Sequence, residues 1–138
     1  MSYQKWLLLH AKKHEKIVDK LRLKGYSKKQ IVAYFDYTNF SKNEPEFCPL
    51  FEKGQKCHDM DDLNCYFCGC PNFRFYQNQT KKVRSFCKVA SKDGGQFSYK
   101  NSIHQDCSNC TIPHKQEYVL QNYTHNWIDI MQLCKIET

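Results

Sequence analysis

Between Tyr3 and Lys24, Leu7, His10 with Ala11, His14, Ile17 with Val18, and Leu21 recur at helical spacing, while Lys12, Lys16 and Lys20 take another face. The pattern predicts an amphipathic helix. Gly25 suits its C-terminal cap, and Ser27 with Gln30 makes a capping box for a shorter helix through Ile31, Val32, Tyr34 and Phe35. A basic helical hairpin over residues 1–40 is the expected outcome. His10 and His14 share a face at i, i+4; on the apolar stripe they read as histidines packed at the edge of a core rather than as a metal pair. The GYSKKQI turn is similar to the joint of a helix-turn-helix, but nothing after Tyr37 supplies a recognition helix.

From Asn39 to Asn64 the periodicity gives way to polar residues and turn formers, which predicts a loop. Phe73 to Tyr99 then interleaves bases with rings (Arg74, Phe75, Tyr76, Lys81, Lys82, Arg84, Phe86, Lys88) and turns at Asp93, Gly94 and Gly95, the pattern of a β-hairpin with an irregular turn. Pro113 is placed to open a final helix, whose stripe is Tyr118, Gln121 or Asn122, Trp127 with Ile128, and Met131.

Cysteine changes this picture most. The run CYFCGC puts Cys65, Cys68 and Cys70 within six residues; a CxxC turn aims two thiolates at one metal, and Gly69 frees the backbone so that amides can point at sulfur. Cys70, two residues past Cys68, is expected to face elsewhere and serve a second site. Cys48 and Cys57 (followed by His58) lie upstream; Cys87, then Cys107, Cys110 and His114 in the group DCSNCTIPH, lie downstream. Eight cysteines and His114 are therefore the candidate ligands. One partition pairs Cys65 and Cys68 with Cys107 and Cys110, and Cys48, Cys57 and Cys70 with His114 or Cys87. Cys134 stands apart near the C-terminal end and reads as a small packed hydrophobe.

Nine cysteines also raise the alternative of a secreted disulfide scaffold. The odd count argues against it, as does a start, MSYQKWLLLHAKKHEK, that has one four-residue apolar run and no cleavage site. No stretch approaches the ~20 apolar residues of a membrane span. The expectation is a soluble, cytoplasmic chain.

Charge adds a direction. Residues 1–30 hold nine Lys or Arg against Glu15 and Asp19, the whole of the formal +7. A zinc held by four thiolates carries about −2, and one held by three thiolates and an imidazole about −1, so metal would make the body acidic beneath a basic N-terminal segment. Cations interleaved with rings suit nucleic acid, since one holds phosphate and the other stacks on bases. The plainer reading of residues 74–100 is a solvated ribbon whose aromatics cover the metal sites. No glycine-rich phosphate loop and no recognisable Ser/His/Asp set is present.

NCYFCGCP (Asn64 to Pro71) and DCSNCTIPH (Asp106 to His114) resemble the two signatures of the cysteine-rich small domain, a probable metal-binding domain of bacteria and archaea. The resemblance covers residues 46–123. It implies an upstream cysteine and a CysHis pair, matched by Cys48 and by Cys57 with His58, and a further cysteine and glycine turn, matched by Cys87 and by Gly94 with Gly95.

The expected architecture is α+β: a basic helical hairpin (1–40), then a metal-stapled domain (41–138) of loop-rich zinc-knuckle core, short β-hairpin and C-terminal helix. The expected function is a binding or scaffold module holding two zinc ions, with nucleic acid or an acidic protein docking on residues 1–30 and 74–100. Two other classes are carried. An iron–sulfur protein would use the same thiols for redox or sensing. A metal-dependent enzyme or metal-delivery protein would keep one coordination position open, with His58 and Cys87 as surplus ligands; the supply of thiols argues instead for closed sites.

Overall fold

The computed structural model describes residues 3–77, 83–89, 91–99, 102–107, 110–124 and 127–134. Helix α1 (Tyr3–Leu23) buries Leu7, His10, Ala11, His14, Ile17, Val18 and Leu21, the stripe its periodicity predicts. Gly25 ends it at φ +83°, with Tyr26 N–H returning to the Leu21 carbonyl at 3.1 Å. Only a residue free of a Cβ takes that left-handed position without strain. The capping box of α2 (Lys28–Tyr34) is complete: Ser27 accepts from the Gln30 amide while the Gln30 side chain accepts from the Ser27 amide.

The polar stretch expected to be loop throughout holds a third helix, α3 (Tyr37–Asn43), which Asp36 caps by accepting from the Thr38 amide. Its one fully buried ring, Phe40, stacks on Phe35 with centroids 4.4 Å apart. With so narrow an apolar face the helix leaves little periodic signal. From Glu44 to Asn64 the chain is turns and bends, as the composition predicts.

The single hairpin becomes a four-stranded sheet. Strands β1 (Phe73–Gln77) and β2 (Val83–Cys87) form one antiparallel hairpin, and β3 (Gly95–Tyr99) and β4 (Ser102–Asp106) another. A parallel pairing of β2 with β4 joins them in the order β1-β2-β4-β3. Gly94 and Gly95 lead into β3 instead of turning between two strands of one hairpin. Lys81 and Lys82 lie outside the described residues.

The predicted C-terminal helix is broken into a 3-10 turn (Ile112–His114) that contains Pro113, α4 (Gln116–Gln121) and α5 (Trp127–Leu133). The break puts Trp127 wholly inside the core, beside Phe67 and His14. Of its expected stripe, the Met131 side chain lies outside the described residues.

Few large aliphatics are available, and rings fill the interior instead. Phe35, Phe40, Tyr66, Phe67 and Trp127 are all fully buried. Each such ring removes a large apolar area from water, and the tilted and edge-on pairs among them add to that. Tyr66 and Phe67 are the two residues inside the first CxxC turn, so the core and the thiol cluster share one segment of backbone.

Candidate metal centre

The first CxxC turn is held from outside before any ligand is considered. Asn64, fully buried, donates from Nδ2 to the Val32 carbonyl at 2.8 Å and accepts from the Tyr66 amide at 2.9 Å. Cys65 N–H donates to the Phe35 carbonyl at 2.8 Å. On the other side α1 reaches in: His10 Nε2–H donates to the Cys68 carbonyl at 2.6 Å and His14 Nε2–H to the Tyr66 carbonyl at 2.9 Å. The two histidines read as packing residues are thus packed, and they also latch α1 to the turn. Burial holds both rings neutral, pulling His10 down to about 4 and His14 to about 3.

Within the turn, Cys68 N–H returns to the Cys65 carbonyl at 3.1 Å; the second CxxC repeats this, with Cys110 N–H on the Cys107 carbonyl at 3.1 Å. Gly69 at φ +100° and Cys70 at φ +59° then reverse the chain. A left-handed cysteine is uncommon, and here it aims a side chain. Cys70 Sγ accepts from the Asn72 amide at 3.4 Å, the amide-to-sulfur contact that Gly69 was expected to permit.

Two adjoining cavities carry the thiols on their walls. Cys48, Cys57, Cys65 and Cys68 line a cavity of about 30 Å³. Burial raises the Cys65 thiol first, and the charges of Cys68, Cys57 and Cys48 raise it further. Cys68 is pushed up to about 12 by burial and then by Cys57 and Cys48. Cys70, Cys87, Cys107 and Cys110 line a second cavity of about 280 Å³, whose wall Cys57 and Cys68 also join. Cys70 is raised to about 12 by burial and then by Cys107, Cys87 and Cys110, opposed by its amide contact; Cys107 is raised to about 11 by burial, Cys110 and Cys87. Ser91 Oγ lies 3.2 Å from Cys110 Sγ. The thiols linked by these upward shifts are thus Cys48, Cys57, Cys65 and Cys68 on one side and Cys70, Cys87, Cys107 and Cys110 on the other, with Cys57 and Cys68 on the walls of both cavities. Cys70 shares the larger cavity with Cys68, and after burial the thiols that raise it are Cys107, Cys87 and Cys110.

Among the described residues, the set whose ligand atoms all lie within 4.8 Å of one another is Cys57, His58 and His114. His58 Nδ1 is 3.1 Å from Cys57 Sγ, and His114 Nε2 is 3.9 Å from it. His114 was a candidate from sequence; His58 entered only as a surplus ligand. The one signal for it was its place directly after Cys57.

All nine cysteines are free thiols. No family model, no curated protein and no solved structure matches the chain. The site is accordingly read from its own chemistry. Every thiol shift among these cysteines is upward, the opposite of what activates a nucleophilic cysteine. Crowded thiols, partly withdrawn from water, resist ionising next to one another, and a cation among them inverts that cost by pairing each thiolate. Cys134 is buried as expected, its thiol donating to the Ile130 carbonyl at 3.5 Å and facing Arg74 at 3.9 Å.

The ribbon behaves in part as its plainer reading requires. Phe75 is buried against Tyr3, Phe73 lines the larger cavity, and Arg74 donates to the Pro71 and Phe73 carbonyls. Phe97 and Tyr99 on β3 are exposed. No helix among the described residues is long and apolar enough to cross a membrane.

Proposed function

We infer that this chain is a metal-binding module stapled by two zinc ions, one held by Cys48, Cys57, Cys65 and Cys68 and the other by Cys70, Cys87, Cys107 and Cys110. The observation that carries the reading is that eight thiols line two adjoining cavities, which share Cys57 and Cys68, and that Cys65, Cys68, Cys70 and Cys107 are each raised by neighbours from their own four. Closed shells of four thiolates are a usual structural coordination of zinc. The resemblance of Asn64–Pro71 and Asp106–His114 to the cysteine-rich small domain accords with it.

As a module the protein offers the exposed lysines of α1, Lys12 and Lys16 among them, as a docking face for an acidic protein or nucleic acid in the cytoplasm. The face is not wholly vacant: Lys20 pairs with Glu44, and Lys13 donates to the Phe47 carbonyl at 3.1 Å. Binding of this kind weakens as salt rises.

Elemental analysis tests the metal. Two zinc ions per chain are expected, falling to one in Cys65→Ser and to one in Cys107→Ser. A chain free of transition metal that stays folded through strong chelation overturns the proposal. The size of the cavity beside the second quartet favours an iron–sulfur cluster as a second reading, for which a brown solution with visible absorption is the signature.

A further inference from the structure

We propose that Cys57, His58 and His114 form a third metal site, open in its coordination, at which a borderline divalent cation such as zinc or cobalt binds and exchanges through the cavity of about 280 Å³. The inference rests on the reading of the thiol quartets as metal sites, and goes beyond it by giving the protein a labile ion beside its structural ones.

The two imidazoles carry the case. A backbone carbonyl only accepts, so the ring nitrogen that faces one bears the proton. His58 Nε2–H donates to the Cys107 carbonyl at 3.1 Å, which leaves the lone pair on Nδ1, the atom 3.1 Å from Cys57 Sγ. His114 Nδ1–H donates to the Asn64 carbonyl at 3.0 Å, which leaves the lone pair on Nε2, the atom 3.9 Å from the same sulfur. Each ring is thus fixed in tautomer and orientation by its far nitrogen, as zinc-ligating histidines usually are, with its bare nitrogen turned toward one sulfur. Around a tetrahedral zinc, a thiolate sulfur and an imidazole nitrogen sit roughly 3.5 Å apart, given the usual Zn–S and Zn–N lengths. The two observed separations fall on either side of that value. The ring centroids are 4.5 Å apart, with planes tilted by 46°, so neither ring stacks flat on the other.

The surroundings suit an exchangeable ion. The carbonyls that hold the rings belong to Cys107, in the second CxxC turn, and Asn64, which precedes the first; the site therefore spans both quartets. Eight thiols close the two structural shells without either histidine. Cys57 is shared, its thiolate bridging the first structural ion and the third. Three protein ligands leave a fourth position for water or an incoming ligand, as in catalytic zinc sites. All three residues line the larger cavity, which gives that position an approach.

Cobalt(II) added to the full-length, zinc-loaded protein is the test. One further equivalent is expected to bind, with the absorption of a sulfur- and nitrogen-ligated ion, and to be stripped by a mild chelator while the first two ions stay. His58→Ala, which removes no thiolate from either quartet, is expected to weaken that last ion roughly 10-fold or more, with two ions still held and circular dichroism unchanged. In the unmodified chain the ring-nitrogen resonances of His58 and His114 should move together as the last equivalent is added. A wild-type chain that keeps two ions and takes no third overturns the inference alone, as does a third ion indifferent to His58→Ala or one that leaves both rings unmoved. A chain that holds no ion overturns the two-ion reading as well.

Discussion

Cys70 is the residue on which the proposed arrangement of thiol ligands turns. With Gly69 at φ +100° and Cys70 at φ +59°, two successive residues leave the right-handed half of conformational space, and the chain doubles back after the first CxxC turn. Gly69→Ala places a Cβ in that region and is expected to cost about 1–2 kcal/mol, read as a lower denaturation midpoint at unchanged m-value. A smaller ion count in the same variant would show that the strain also misplaces Cys70. His14 supplies a pH test. Its pKa is pulled down to about 3 by burial, and next by the charge of His10, against the favourable Tyr66 carbonyl. The folded state thus prefers the neutral ring, while the unfolded chain takes up a proton near the ordinary histidine value of about 6.5. Stability is complete above that value and falls as the pH drops toward 3. In denaturant melts at stepped pH, His14→Gln should show a flatter acid limb than wild type. An identical limb would assign the acid sensitivity to the other buried groups. The candidate thiols were legible at this scale, because spacing identifies a CxxC turn; His58, which the structure brings beside Cys57 and His114, was marked only by its place after Cys57. Which thiols share a cavity was not legible, since it depends on a chain reversal at Gly69 and Cys70 that only the backbone angles reveal.

Among the elements, those specified by local chemistry followed from sequence. The α1 stripe, the glycine that ends it and the capping box of α2 each depend on residues at most a few positions apart. Ser27→Ala removes the acceptor for the Gln30 amide and is expected to cost about 1 kcal/mol. Metal content should not change, because Ser27 lies on the helix joint and not on either CxxC turn. Loss of an ion on this substitution would mean that α2 is an active support of the Cys65 turn, through the Phe35 and Val32 carbonyls that it holds in place. The elements missed were those that distant residues decide. The pairing of β2 with β4 joins two hairpins in parallel, a register with no local turn to announce it. The C-terminal helix breaks after Gln121, with Asn122 at its C-cap; the stripe is polar at this point and turns apolar again at Trp127, so spacing alone does not announce the stop. Helix α3 rests on one cap and one ring.

For the whole molecule the informative quantity is charge against ions bound. The formal charge is +7 with every thiol protonated. Filling one quartet with zinc expels about four protons and adds one divalent ion, a net change of about −2 despite the gain of a cation. Two quartets bring the protein to about +3. The third ion behaves differently, since Cys57 is already a thiolate and both imidazoles present bare nitrogens. It expels close to no protons and returns the charge to about +5. Loading should therefore move the protein toward the anode in two steps and back in one, on native electrophoresis at neutral pH. Calorimetry in buffers of different ionisation enthalpy should show proton release for the first two ions and little for the last. Two releasing steps followed by a third would mean that the last ion takes fresh thiols, and that a quartet had not closed around the first two. A single releasing step would leave one quartet as a set of buried, protonated thiols, and the stapling of the fold would fall to the other quartet and the aromatic core.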